Sequence, residues 1–334
     1  MPYEPKYTIT THLMGLIESI SSMRTKIDIS PISLAWIPRL TKEAFSRMAH
    51  SSTAIEGNPL TLREVRILSE GGTLPHTKPR YVQEIFNYFA ALKHVSDNNQ
   101  KEKILEGDAL KLHVLIGKDA LDREPVGSYR TYQVYVGGHK PPKAADVPKL
   151  MKELLEWLNT KGRLLPAVIS SAILHYQFEY IHPFGDGNGR VGRVLATWEL
   201  YRKGLDTHHI FSVDEVYWEN RQRYYNALDL VRKQKGDLTG WLEFIAEAVE
   251  LSLERALQRV ESIRALKEDN KPLILLPKQE KLLHLIKSSP LSIKEIQSEL
   301  KVTKSGAHFL IKPLIEANLI KRVGGHKAGK YIIT

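Results

Sequence analysis

His182-Pro183-Phe184-Gly185-Asp186-Gly187-Asn188-Gly189-Arg190-Val191-Gly192-Arg193 puts an imidazole, a carboxylate, a glycine-rich turn and two guanidinium groups in one short stretch. That is equipment for gripping a nucleotide polyphosphate and activating a hydroxyl beside it. The glycines let the backbone approach an anion closely and take up φ > 0 without penalty. A helix starting just after them aims its free N–H groups and positive dipole end at that anion. Arg190 and Arg193 are three apart and share a face of that helix. Asp186 is placed to hold a Mg²⁺ ion that the phosphates also touch.

The elements that must position these groups read as almost entirely helical. Residues 41–56 place Phe45, Met48, Ser52 and Ile55 at helical spacing, with Gly57 as C-cap and Asn58-Pro59 as stop. Thr61-Leu62-Arg63-Glu64 opens the next helix as a capping box, stapled by Leu60 and Val65. Residues 79–96, 105–117 and 146–159 continue the pattern. A helix from Pro166 to Ile181 is apolar on most sides and is expected to be central and buried. Pro183 pushes His182 out of helical geometry, so the loop begins there. Helices over 188–203, 216–233 and 239–267 follow. The one β element is 131–136, running into Gly137-Gly138, with Pro141-Pro142 opposing a regular return strand. His175 lies mid-helix in an apolar run and reads as structural.

Bulk properties exclude several classes. The chain of 334 residues has room for two or three domains, and its 42% hydrophobic content is ordinary for a soluble protein. It holds no cysteine, which removes disulfides, thiolate zinc sites and a cysteine nucleophile. No apolar run approaches a membrane span. The N-terminal stretch has neither the basic start nor the apolar core of a signal peptide, so the expectation is a cytoplasmic protein. Net charge is +10, and 271–334 carries 12 Lys and Arg against 4 Glu. That tail reads as three helices and a glycine-rich basic hairpin, a winged helix-turn-helix layout, with Pro313 inside the third helix. Its charge is the footprint of a DNA surface, with Lys321, Arg322, Lys327 and Lys330 on phosphates.

Gly187-Asn-Gly189-Arg-Val-Gly192 matches the dinucleotide fingerprint GxGxxG only formally. That fingerprint follows a short strand, and here a helix-length segment and His-Pro-Phe precede it. The stretch instead resembles the Fic family signature H-x-F-x-[D/E]-G-N-G-R-x-x-R, and every fixed position is met. The resemblance covers the flap, the buried helix and the helices to about residue 250. It implies a mainly α fold: the Fic helical body with a short β-hairpin flap, here joined to the winged helix-turn-helix domain. The expected parts are 1–104 as a helical region, 105–270 as the catalytic core and 271–334 as the basic domain. It also implies transfer of AMP from ATP to a hydroxyl side chain of a target protein.

On that reading His182 takes the proton of a Ser, Thr or Tyr hydroxyl. Asp186 holds Mg²⁺ on the α and β phosphates. The N–H groups of Gly187, Asn188 and Gly189 form the anion hole. Arg190 and Arg193 take the β and γ phosphates, and Phe184 pins the loop into the core. The flap strand 132–136 pairs with the target. Val136, Gly137, Gly138 and His139 match family positions against the nucleotide. Tyr224 or Tyr225 supplies an adenine-facing aromatic. Ser52-Thr-Ala-Ile-Glu56-Gly57 fits the family's inhibitory pattern [S/T]-x-x-x-E-[G/N], in which the glutamate pairs with Arg193 and displaces the γ-phosphate. The same Glu56 is also placed to orient a water for removing AMP. Transfer of UMP or phosphate, and a DNA-binding regulator with a vestigial Fic body, stand as rivals. Self-modification and a homodimer are left open.

Overall fold

Thr10 starts the first helix, α1 (Thr11–Ile29), by accepting the Leu13 N–H at 3.0 Å. Its Leu13, Leu16, Ile20 and Ile27 are buried, and the sequence reading places no helix there. The next, α2 (Ile37–Ile55), is closed by Gly57 at φ 95°, a conformation glycine adopts at little cost. Helix α3 (Leu62–Ser69) opens on the expected capping box. Thr61 accepts the Glu64 N–H at 3.3 Å, and the Glu64 carboxylate accepts the Thr61 N–H at 2.8 Å. Leu60 and Val65 flank it, both buried.

The computed structural model describes residues 2–30, 36–121, 125–137, 140–265, 276–317, 319–324 and 329–334. Helices α4 (Pro79–Asp97), α5 (Glu106–Gly117), α6 (Val147–Asn159), α7 (Ala167–Ile181) and α8 (Asn188–Arg202) follow near their expected bounds. One expected helix over 216–233 is two, α9 (Val213–Glu219) and α10 (Arg221–Lys233). They divide at Asn220, whose φ of −118° and ψ of 42° are not helical. No glycine or proline marks that break. Helix α11 (Thr239–Ala265) is the longest.

The chain divides into two units, Met1–Ser30 with Leu40–Arg259, and Pro31–Arg39 with Val260–Thr334. In the first, α7 is the hub. Its Val168, Ile169, Ala172, Ile173, Leu174, Phe178 and Ile181 are all buried, so no polar face is left. It packs along α8 and against α6. Burial of charge is concentrated on α8, where Arg190, Arg193 and Glu199 lie inside with Val191, Val194, Leu195 and Trp198. The flap region is less regular than expected. Over 131–137 Val136 forms a β-bridge without a longer strand, and the three-stranded sheet of the described residues lies in the other unit. Pro141 and Pro142 oppose a regular return strand.

The second unit contains α12 (Pro277–Ser288), β1 (Leu291–Ser292), α13 (Ile293–Leu300), α14 (Lys304–Glu316), β2 (Ile320–Val323) and β3 (Lys330–Ile333). Its antiparallel sheet has the order β1-β3-β2, with Leu291 opposite Tyr331 and Ile320 opposite Ile333. Leu282, Ile286, Ile296, Leu300, Leu310, Ile311, Leu314 and Tyr331 fill its core. Helix α14 continues through Pro313 to Glu316. No helix among the described residues is long and apolar enough to cross a membrane.

Candidate active site

The loop between α7 and α8 is held from three directions. His182 leaves α7 in the left-handed region, at φ 49° and ψ 62°, while its N–H still bonds the Phe178 carbonyl at 2.9 Å. Pro183 disfavours the helical alternative for it. Phe184 is fully buried and stacked on His113 of α5, with ring centroids 3.7 Å apart. Asn188 closes the loop on itself. Its amide donates to the Phe184 carbonyl at 2.8 Å, and its oxygen accepts the Phe184 N–H at 2.9 Å. The Asn188 side chain is thus used inside the loop.

Two side chains that sequence reasoning missed fix the loop. His113 Nδ1 accepts the Gly127 N–H at 3.0 Å. Its Nε2 therefore carries the proton and donates to the Asp186 carbonyl at 3.2 Å. Burial pushes His113 down to about 4, so it is neutral at physiological pH. Arg130 is buried, and among the described residues no carboxylate pairs with it. Its guanidinium donates to the carbonyls of His182 (2.8 Å), Tyr132 (3.0 Å), Pro142 (2.6 Å) and Ile181 (3.3 Å). It ties both ends of the flap to the histidine's own backbone. No local pattern announces such long-range contacts.

Gly187 sits at φ 81° just before α8. The first helical bond is Val191 N–H to Gly187 carbonyl, which leaves the N–H groups of Asn188, Gly189 and Arg190 without helical acceptors. Asp186 is more than half exposed beside them, and Arg190 Nη2 lies 3.5 Å from its carboxylate. Arg190 itself is buried, 3.9 Å from Glu84.

Glu56 faces this helix start. A Cβ on Gly189 would run into its carboxylate oxygen, so an anionic group already rests against the first turn of α8. The same oxygen accepts from Arg193 Nη2 at 2.8 Å. Arg193 Nε donates to Ser52 Oγ at 2.7 Å, and Nη2 donates to the Ser52 carbonyl at 2.9 Å. That carbonyl is available because α2 tightens at its end: Glu56 N–H turns to Thr53 instead. Asp214 of α9 stands 3.6 Å from Arg193 Nε, and accepts from the Tyr88 hydroxyl at 3.3 Å. Burial alone would push Glu56 up, but Arg193, Arg190 and Arg221 reverse this and hold it below its usual range. Burial raises Asp214 to about 6, with Arg193 pulling the other way.

The remaining sequence candidates fall as follows. Val136 is half-buried, and Gly137 is exposed at φ 50°. Gly138 and His139 lie outside the described residues. Tyr224 does not line an open face. It is 1% exposed, stacks on Tyr217, and shares a hydrogen bond of 3.1 Å with His175 Nε2. Tyr225 is the exposed member of the pair, with Arg221 over its ring. Burial takes His175 down to about 3, consistent with a structural histidine. Among the described residues no three or more His, Asp or Glu converge as a metal cluster. Asp186 is the one carboxylate of the motif. That donor set suits Mg²⁺ arriving on a polyphosphate, since Mg²⁺ is held by one or two carboxylates plus phosphates and waters.

The Fic/DOC family model matches residues 103–200. A protein named Protein adenylyltransferase Fic from Drosophila erecta is 34% identical over 241 residues, which is 71% of this chain and 47% of that protein. One of the same name from Nematostella vectensis is 30% identical over 246 residues, 72% of this chain and 56% of that one. The chain thus spans about half the length of these curated relatives. A crystal structure of a Fic family protein from Desulfovibrio desulfuricans G20 superposes with a TM-score of 0.69 at 28% identity, covering 99% of this chain and 98% of that one. Fic-1 from C. elegans gives 0.65 at 26%, covering 75% and 73%. The histidine at the end of α7, the glycine turn and the two buried arginines of α8 all fall inside the matched segment, and the chain carries a Fic/DOC family domain over residues 103–200.

Proposed function

We propose that this protein is an auto-inhibited protein adenylyltransferase, moving AMP from ATP to a Ser, Thr or Tyr hydroxyl of a target protein. The observation that carries the reading is Glu56, paired with Arg193 and resting on Gly189, where the family resemblance puts the γ-phosphate. The relatives' printed name supports the activity. His182 takes the hydroxyl proton as the oxygen attacks the α-phosphorus, and pyrophosphate leaves. The N–H groups of Asn188 and Gly189 stabilise the phosphate charge, the expected third, that of Gly187, being donated to Asp186 Oδ1 instead. Arg190 and Arg193 hold the outer phosphates, and Asp186 would hold Mg²⁺. The flap, tethered by Arg130, orients the target segment. Glu56 out of the way permits transfer; Glu56 in place favours the reverse use, orienting a water that removes AMP.

The test is incorporation of label from [α-³²P]ATP into protein, compared with [γ-³²P]ATP. Label from the α position, lost in His182→Ala, supports AMP transfer. Label only from the γ position makes the enzyme a kinase, and transfer from UTP alone makes it a uridylyltransferase. Incubation of modified protein with enzyme and Mg²⁺ tests removal, which retained label would refute.

A second reading concerns the basic unit. Its helix-turn-helix elements and antiparallel sheet fit a winged helix, and exposed Lys304, His308 and Lys312 lie along α14 with Lys321 and Arg322 on β2. This supports DNA contact, with phosphate binding that weakens as salt rises. Filter binding of the full chain at two salt concentrations tests it, and salt-insensitive retention would reject it.

A further inference from the structure

Glu179 is a carboxylate that the reaction above leaves unused, set against the side chain the reaction cannot do without. It stands three residues before His182, on the last turn of α7. The left-handed turn at His182 leaves its Nδ1 3.9 Å from Glu179 Oε2. The other carboxylate oxygen, Oε1, is buried and has no hydrogen-bond partner among the described residues. A buried carboxylate oxygen without a donor is costly, so this carboxyl is short of hydrogen-bond donors, and the His182 ring lies 3.9 Å from its other oxygen. Space for it depends on Gly192. A Cβ there would stand 2.5 Å from Glu179 Oε1 and 3.1 Å from the Phe178 ring. Gly192 occupies one of the free positions of the family signature, and the structure gives it this duty.

Charged groups meet Glu179 from several elements. His182 lies on its own loop and Arg193 on α8, with Glu56 beyond the end of α2 and Arg232 on α10. Burial dominates and pushes the Glu179 carboxyl up to about 7, Arg193 and Arg232 opposing and Glu56 reinforcing. Its affinity for a proton therefore comes close to that of an imidazole.

We propose that Glu179 is the positioning residue of the catalytic histidine: its carboxylate accepts a hydrogen bond from His182 Nδ1–H and so leaves the Nε2 lone pair for the target hydroxyl. This rests on His182 being the base. As the target O–H breaks, its oxygen bonds the α-phosphorus, the bond to the bridging oxygen breaks, and pyrophosphate departs with that electron pair. The proton stays on Nε2. The imidazolium so formed carries its positive charge beside an anion, which lowers its energy and that of the transition state leading to it. The separation of 3.9 Å must close by about 1 Å to make a hydrogen bond. Catalytic hydrogen bonds are often long without substrate and tighten in the working complex.

The experiment uses the full chain carrying Glu56→Gly, with Glu179→Gln added. Expected is a fall in kcat of roughly 10- to 100-fold, the usual consequence of losing a partner that orients a functional histidine, with KM for ATP little changed. The acid limb of the kcat profile moves to lower pH, because removing the anion lowers the imidazolium's stability. ¹⁵N NMR, with the His182 signals identified by their loss in His182→Ala, shows the Nδ1–H tautomer in the parent and its loss in Glu179→Gln. Glu179→Asp, which withdraws the carboxylate by one methylene, shifts both readouts in the same direction by less, and serves if the glutamine variant does not fold. An unmoved acid limb or an unchanged tautomer overturns the proposal. Activity surviving in His182→Ala instead overturns the reading of His182 as the base, so the two failures are told apart.

Discussion

Glu56→Gly removes one charge and one hydrogen bond from Arg193 and leaves the other tethers of that guanidinium intact. Arg193 is 1% exposed, while about a third of the Glu56 side chain faces solvent. Severing a fully buried ion pair costs about 3–5 kcal/mol. Partial exposure of the carboxylate screens the charge and lowers the value. A hydrogen bond between charged groups at 2.8 Å is worth about 1.5–3 kcal/mol. Taking about 2–3 kcal/mol for the inhibitory contact, ATP in the productive pose is disfavoured roughly 30- to 150-fold. The variant should raise AMP transfer by that factor at subsaturating ATP, measured as initial rates of α-label incorporation. Glu56→Gln, which keeps the shape on Gly189 but not the charge, should fall between. Equal rates for wild type and Glu56→Gly refute the inhibitory role. An increase seen equally in Glu56→Gln would show that charge, and not occupancy of the space above Gly189, sets the block.

Arg130→Ala strands the carbonyls of Ile181, His182, Tyr132 and Pro142 at once. It should destabilise the protein by about 2–4 kcal/mol, lower the melting temperature by roughly 5–10 °C, and slow transfer further than stability explains. An unchanged melting curve would remove Arg130 from its structural role. His113 has a pKa depressed by burial, so its contribution to stability is complete above about 6.5 and is lost as pH falls towards about 4. The stability deficit of His113→Leu relative to wild type should therefore shrink between pH 7 and pH 4.5, and a constant deficit refutes the assignment. Tyr224→Phe should cost about 1 kcal/mol in stability without altering KM for ATP, whereas a raised KM would return Tyr224 to the adenine site.

The legible part of this molecule is the part written locally. The capping box at Thr61 and Glu64, the stop at Gly57 and the loop start at Pro183 are each encoded within a few residues. The all-round apolar pattern of α7 announced its burial. The twelve-residue motif and the Ser52–Glu56 spacing named the groups that meet at Arg193. What escaped the sequence depends on distance along the chain. Arg130 reaches across 52 residues to the His182 carbonyl, and His113 across 73 to Asp186. Both are ordinary residues at unremarkable spacings. The expected flap strand is reduced to a β-bridge at Val136 among the described residues for a related reason. β-propensity needs a partner strand to be realised, whereas the flap's main chain is held by a guanidinium.

On the proposed inhibitory reading, the arrangement around Arg193 explains how the end of one helix both equips and silences the site. Ser52 lies in the last turn of α2 and Glu56 just beyond its end, four residues on, and both bind the same guanidinium. Ser52 is fully buried and supplies two acceptors, so its contacts belong to the permanent frame, with Asp214 behind. Glu56 is the exposed member, sits where α2 has already tightened out of regular helix, and is followed by Gly57 in a conformation that ends it. On that reading the blocking carboxylate follows the tightened last turn of α2, while the turn before it is anchored through Ser52. Ser52 and Asp214 would keep Arg193 in its orientation if Glu56 withdrew, because the groups that aim it are not the group proposed to block it. Inhibition of the proposed kind would then be lifted without rebuilding the anion site.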